Sequence, residues 1–399
     1  MAKWPARKTI VLVFLGIIAL TSAFGAGFGV AQVVPLSALP IARNDSARLD
    51  TFWQVWRLVE RDFLGTLPSN QARVYGAIHG SLATLEDPYT VFVEPQSHQR
   101  EKEDLQGSFG GIGVTMRRNA QGDLVLSPMP DSPAIRTGVL DGDVLVTVDS
   151  KPISATLSFD DIAALVRGKV GTKVAISVRR SGSEALLSFT ITREVINTPS
   201  AVYHILDNAP QIGYIAISRF TEHSGEEVQK AAQELEQKGA RQLILDLRDN
   251  GGGLLTAAID VSSQFMNDGV VLYEQEKGKP EQTFRTKPGG VALDMPLIIL
   301  VNHNTASASE IVAGALRDNN RAILIGDQTY GKGSVQHIYD LGDGSSLHVT
   351  AAEWFTPNRH QLTGHGLIPD VVVSRSNDDI AAGRDPQLDC AIAYWQGKS

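Results

Sequence analysis

The sequence predicts a multidomain chain of α+β class, with an N-terminal helical region, a small β-rich module and a larger α/β core. Three observations carry that expectation. Phe52, Val55, Trp56, Val59 and Phe63 recur at spacings of three and four, which makes a helical stripe. Short apolar stretches broken by glycine turns fill residues 107–195, the pattern of a small sheet. Beyond residue 199, apolar strands alternate with amphipathic helices, as in a layered α/β fold.

The N-terminus comes first. Lys3, Arg7 and Lys8 precede an apolar run from Thr9 to Val34, and no charged residue interrupts the interval from Lys8 to Arg43. A helix needs roughly 20 apolar residues to cross a bilayer, and a basic flank stays on the cytoplasmic side. Residues 1–34 therefore read as a signal anchor or, with small residues at Ala23, Gly25, Ala26 and Ala31, as a cleaved signal peptide. Either reading puts the rest of the chain in the cell envelope, outside the cytoplasm, with the membrane as a partner of the N-terminal segment. A short linker follows, residues 35–49.

Residues 50–106 form the helical region. A second stripe, Val74, Ala77, Ile78 and Leu82, follows the breaker Pro68, and Asp87-Pro88 is expected to end that helix. Both stripes predict packing, with Trp53 facing a partner subunit. In residues 107–195 the strands are Leu124 to Leu126, Val144 to Val148, Val174 to Val178 and Ala185 to Ile191. Asp141-Gly142-Asp143 forms a turn, and Asp160 to Arg167 a short helix. In residues 196–375 the main strands are Ile212 to Ile217, Leu243 to Leu247, Pro296 to Val301 and Ala322 to Ile325. Helices are expected at Ser224 to Lys238, Leu254 to Phe265 and Ala308 to Leu316, and a hairpin through Leu347 to Phe355. Residues 376–399 read as a C-terminal tail.

Composition excludes several functions. Hydrophobic residues are 43% and charged residues 20%, as in ordinary globular domains, and the formal net charge is −8. No basic run follows the first ten residues, which excludes a nucleic-acid partner. Cys390, the one cysteine, has no disulfide partner within the chain and no CxxC spacing.

Three stretches bear on chemistry. The strand Leu297 to Val301 runs through Asn302-His303-Asn304-Thr305-Ala306 into Ser307, where a helix begins. A serine at such a turn is exposed, and the next backbone N–H points where an oxyanion would form. The plain alternative is that Ser307 or Thr305 caps the helix, and the Gly-x-Ser-x-Gly elbow is absent. Gly251, Gly252 and Gly253 follow another buried strand and permit close backbone approach or an anion-binding nest. No Gly-Lys-[Ser/Thr] accompanies them, so they are not a phosphate loop. Lys332 lies between Gly331 and Gly333. It reads as a solvated turn residue unless burial lowers its pKa enough to make it a base.

Taken together, these residues resemble the carboxyl-terminal processing peptidase family. The matching stretches are Thr305 to Leu316, Gly331-Lys-Gly-Ser-Val-Gln336, Asp246-Leu-Arg-Asp-Asn-Gly-Gly-Gly253 and Gly364-His-Gly-Leu-Ile-Pro-Asp370. The separation of Ser307 from Lys332 also equals the family's usual one. The resemblance covers about Phe52 to Val373. It implies an α/β peptidase core of the tail-specific protease or crotonase-like type and a PDZ domain in residues 107–195. By position, Ser307 matches the nucleophile, Lys332 the general base and Gln336 the residue that orients the lysine. The N–H groups of Ala308 and of Gly252, or alternatively Gly253, match the oxyanion hole. Ser309 is a weaker nucleophile, being two residues off the spacing. Gly110, Gly111, Ile112 and Gly113 match the loop that presents N–H groups to a terminal carboxylate, with the peptide adding as a strand beside it. Arg167 at the module's helix end would touch the protease domain as a sensor. The family implies protein or peptide substrates with free C-termini, homo-oligomers built on the helical region, and no cofactor.

The sequence departs from the family at Gly251, where proline is common, and after Pro357, where a glycine is usual. The rival reading is a membrane-anchored PDZ scaffold whose protease-like domain only binds. His303 and His337 keep a Ser–His mechanism open. The histidines, His98, His348, His360 and His365 among them, show no metal-ligand spacing along the chain, and no metal is expected.

Overall fold

The computed structural model describes residues 49–397. The predicted anchor or signal segment lies outside them. No described helix is long and apolar enough to cross a membrane. The chain divides into two compact units, Met1–Val74 and Tyr75–Ser399.

In the first unit the predicted stripe does form a helix, Asp50–Asp62, but none of its residues is buried. Trp53 and Val55 are more than half exposed. The stripe is thus unburied among the described residues. Within this unit Arg73, at the start of the following helix, Asn70–Ala83, pairs with Glu60 and stacks its guanidinium 5.1 Å from the Trp56 ring centroid. That second helix ends at Ala83, ahead of Asp87-Pro88, because Thr84, Leu85 and Glu86 turn back onto the carbonyls of Ser81, Leu82 and Ala83.

The second unit centres on a six-stranded sheet. Its order is Ala201–Leu206, Ala209–Ile217, Gln242–Asp246, Leu297–Val301, Ala322–Gly326 and Val371–Val372. The first pair is antiparallel and the rest are parallel; helices cross over within the first three parallel pairs, and the strands Ser334–Asp340 and Ser346–Phe355 lie between the last two strands. Strand residues alternate between two cores. Leu243, Leu245, Ile299, Val301 and Leu324 pack under the helices Ser224–Gln237, Leu255–Phe265 and Ala308–Asp318. Ile244, Ile298, Leu300 and Ile325 face Ala391 and Ile392 of a last helix, Pro386–Trp395. The segment read as a tail is thus structural: it covers the second face of a parallel sheet, which needs both faces covered. Sequence periodicity missed it because the helix spans only ten residues.

A second sheet is antiparallel and holds Val91–Val93, Ser346–Phe355, Val270–Glu276 and Gln282–Arg285, with Ser334–Asp340 also paired to Ser346–Phe355. The helix Pro95–Gln106 follows its first strand.

The β-rich module has its own core, around Ile112, Leu126, Val148, Ile162, Val178 and Ile191. Its sheet runs in the order Val114–Arg118, Leu124–Pro128, Val144–Val148, Lys173–Arg179, Leu187–Thr192, so Val114–Arg118 is an edge. The helix Phe159–Val166 opens with a capping box at Ser158. Its last carbonyls, Leu165 and Val166, accept from the Arg193 guanidinium.

Candidate active site

Two strand-to-helix junctions meet at the carboxyl end of the central sheet, and they are stapled together. Thr305, fully buried, donates its hydroxyl to Leu247 O at 2.9 Å. Ala306 N–H and the Ser309 hydroxyl both donate to Asn250 O, at 3.0 and 2.8 Å. Ser309 is completely buried, so it anchors the turn and is out of reach of a substrate.

Ser307 differs from the other capping serines of the chain. Ser132, Ser158 and Ser376 have extended backbones, φ near −70° with ψ near 160°, and their hydroxyls accept an N3 amide. Ser307 has φ 56° and ψ −119°, a region costly for a residue with a Cβ and found at sites where surroundings over-determine the backbone. Gly252 explains the crowding. A Cβ there would stand 2.8 Å from Ser307 Cβ and 3.0 Å from Ala308 N, so only glycine lets the turn approach the serine this closely.

A buried carboxylate, Glu310, joins the serine to the lysine loop. It accepts from Ser307 N–H (2.9 Å), Thr329 Oγ1 (2.6 Å), Gly331 N–H (2.8 Å) and Lys332 N–H (2.9 Å). No role was read for Glu310 in the sequence, although Ser307-x-x-Glu310 has capping-box spacing. Lys332 O accepts from the Trp354 indole at 3.1 Å. Burial lowers the Lys332 pKa, opposed by the charges of Glu101 and Glu310. Its Nζ stands 5.1 Å from the centroid of the Tyr89 ring. Burial, with Tyr330, pushes the Tyr89 phenol up to about 12. Among the described residues no hydrogen bond joins Lys332 Nζ to Ser307 Oγ. Gln336 donates its amide to Ser334 Oγ at 2.9 Å, not to the lysine.

The expected oxyanion donors fall into two groups. The amides of Ala308 and Gly253 carry no hydrogen bond among the described residues. The amide of Gly252 donates to Asn250 Oδ1 at 2.9 Å. Arg248 sets the height of this turn: buried, it bonds Asp246, Asp385 and Gln387, tying the junction to the last helix. Its neighbours raise its pKa above the ordinary arginine value although burial opposes them.

His303 is exposed, and His337 stacks near Tyr339; neither bonds Ser307. In the β-rich module, Gly110 and Gly111 lie in a strand, Ser108–Gly111, paired with Glu194–Asn197. The free loop is thus shorter than expected. Ile112 and Gly113 remain between this strand and the edge strand, and their amides carry no hydrogen bond among the described residues. Gly113 has φ 71°, and a Cβ there would meet Ser132 Cβ at 2.4 Å. Arg167 stacks 3.9 Å from the Phe109 ring centroid and stands 3.8 Å from Glu103 of the Pro95–Gln106 helix.

Residues 211–373 match peptidase family S41, and residues 124–180 match a PDZ domain. A carboxyl-terminal-processing protease of Synechocystis sp. is 35% identical over 362 residues, 89% of this chain and 84% of that protein. A carboxy-terminal-processing protease of Bartonella bacilliformis is 34% identical, over 87% of this chain and 80% of that protein. A solved structure described as an S41 protease of Bacteroides fragilis matches 84% of this chain and 93% of its own, with TM-score 0.52 at 14% identity, a likeness of fold.

Proposed function

The chain belongs to the carboxyl-terminal-processing serine proteases of peptidase family S41, and from that premise we propose an exported endopeptidase with a Ser307–Lys332 mechanism. The observation that carries the mechanism is Ser307 itself, held at φ 56° on a strand-to-helix turn and tied through Glu310 to the loop of a lysine whose pKa burial lowers. Neutral Lys332 swings from the Tyr89 ring to take the Ser307 proton. The serine oxygen then attacks a peptide carbonyl. The unpaired Ala308 amide receives the oxyanion, with Gly253, or with Gly252 once it leaves Asn250. Gln336 would need to leave Ser334 to steer the lysine. The tetrahedral intermediate collapses as Lys332 gives its proton to the departing amine, and water, deprotonated by the same lysine, then hydrolyses the acyl-enzyme.

In the same reading the PDZ domain takes the substrate's free carboxyl end at the amides of Ile112 and Gly113. The peptide adds to the open edge of Val114–Arg118 by main-chain pairing. The basic-flanked run from Thr9 to Val34 supplies export, and the exposed apolar residues of Asp50–Asp62 supply assembly with further copies.

The test uses the purified full chain and one unfolded substrate, with its carboxyl end free and then amidated. Ser307→Ala is expected to lower cleavage by at least about 10⁴-fold while leaving the fold intact. Amidation is expected to lower kcat/KM about tenfold in the wild type, the loss of a charge-assisted contact. A Ser307→Ala enzyme within tenfold of wild type would sink the mechanism. Equal rates on the free and amidated substrate would sink terminus reading alone.

A further inference from the structure

We propose that His98, Glu101 and His348 form a binding site for a divalent transition-metal cation of the zinc type, close to Lys332. Along the chain these residues show no ligand spacing. The fold assembles them. His98 and Glu101 stand three apart on the helix Pro95–Gln106, which puts them on one face. His348 lies on the strand Ser346–Phe355, opposite Val91 of the short strand that leads into that helix. One ligand atom from each residue lies within 4.8 Å of the other two.

Among the described residues His98 Nδ1 and the Glu101 carboxylate make no hydrogen bond, and His348 Nε2 makes one long one. His98 is buried, and its Nε2 stands 2.7 Å from Asp340 Oδ1. A carboxylate accepts only, so Nε2 carries a proton, and in the neutral ring Nδ1 keeps its lone pair. That Nδ1 is buried and has no hydrogen-bond partner. A carboxylate behind one nitrogen and a bare lone pair on the other is how metal-ligating histidines are held. Asp340 is itself fixed, its Oδ2 bonding Lys102 at 2.9 Å. Glu101 accepts no hydrogen bond among the described residues. Its Oε2 is 3.4 Å from His348 Nε2, too long for a good hydrogen bond. His348 Nε2 has only a 3.2 Å contact with Ser346 Oγ besides. Zinc with bonds of about 2.0–2.1 Å needs ligand atoms about 3.3 Å apart, which modest side-chain rotation supplies.

The donor set selects the ion. Two imidazoles and one carboxylate suit zinc and its first-row neighbours. Calcium or magnesium would want an all-oxygen shell. Three protein ligands leave one tetrahedral position open, to water or to an incoming group. Glu101 is also the acid whose charge Lys332 senses most strongly, so the site borders the proposed catalytic base. The proposal does not depend on the peptidase reading, and its test measures binding.

Full-length Ser307→Ala protein, stripped with a chelator, is titrated with zinc against a chromogenic competitor, and with cobalt for its visible spectrum. One equivalent of zinc and a tetrahedral cobalt band are expected. His348→Gln and Glu101→Gln should each weaken binding at least tenfold. Asp340→Asn, which changes only the residue behind His98, should weaken it about 10–100-fold. His79→Ala and His204→Ala should leave it unchanged. Circular dichroism and melting check folding; Glu101→Gln, nearly isosteric, decides if the histidine variant unfolds. Absence of zinc binding by the folded chain at millimolar metal, or equal affinity in the folded variants, would overturn the proposal.

Discussion

Around Ser307 the hydroxyls of Thr305 and Ser309 and the serine's own amide all have partners, whereas around Lys332 the main chain is pinned and, among the described residues, the side-chain nitrogen makes no hydrogen bond. The serine half is held by two strand ends and a helix, and its strain is sustained by Gly252 packed against it. The lysine half hangs from Glu310 and Trp354 by backbone atoms, with its four-carbon stem reaching toward Tyr89. A nucleophile must be aimed before substrate arrives. A lysine that must lose its proton to act as a base gains from burial. In the proposed mechanism, the difference teaches that the site stores geometry in one half and protonation in the other.

Substitutions at Lys332 attack the protonation half, with the largest expected effect. Lys332→Ala and Lys332→Arg should both lose at least about 10³-fold in kcat/KM, because arginine keeps the charge but cannot deprotonate. The wild-type pH profile carries the sign. Burial depresses the lysine pKa, so the neutral base is scarce well below that pKa and accumulates as pH rises through it. Activity should climb from neutral into mildly alkaline conditions. An active Lys332→Arg enzyme, or a His303→Ala or His337→Ala enzyme as dead as Ser307→Ala, would break the comparison in favour of histidine.

Glu310→Gln tests the link between the halves. Glutamine offers one acceptor oxygen where the carboxylate serves four donors, and its amide nitrogen opposes them. A stability loss of about 2–4 kcal/mol is expected from buried donors left unpaired, read as a lower Tm. The fall in kcat should be about 10²-fold. Full activity at an unchanged Tm would show that the halves are independent. Gln336→Ala should do least: a roughly 3–10-fold lower kcat, the low end of what a positioning group contributes, at an unchanged Tm. A silent substitution would leave Gln336 as Ser334's partner only.

The sequence made the halves legible unequally. Ser307, Gly252, Gly253 and Lys332 sit in short motifs at strand ends, where local pattern and spacing carry the information. The central parallel strands were also read close to their observed ends, because buried apolar runs are plain in a sequence. Glu310 was harder, since a buried acid inside a helix resembles a surface one until its four donors are seen. Glu101, Tyr89 and Trp354 carry no motif and come to the lysine from three separate elements, a helix, a turn and a strand of the second sheet. The strands Ala201–Leu206 and Val270–Glu276 and the helix Pro386–Trp395 were missed. What decides each is the face it covers, and that is a tertiary fact.

The open edge of Val114–Arg118 also has a consequence in time. A strand edge grips an incoming tail by its main chain, and that grip is the same before the tail is severed as after. The fragment cut away keeps its carboxyl end, so in the proposed reading it would stay docked while the shortened body leaves. Each turnover would then wait on the departure of a short peptide. Fragments would compete with fresh substrate, and the enzyme would slow as its own clippings accumulate. The dwell of a few residues on one strand would set the pace of a machine whose chemistry lies elsewhere.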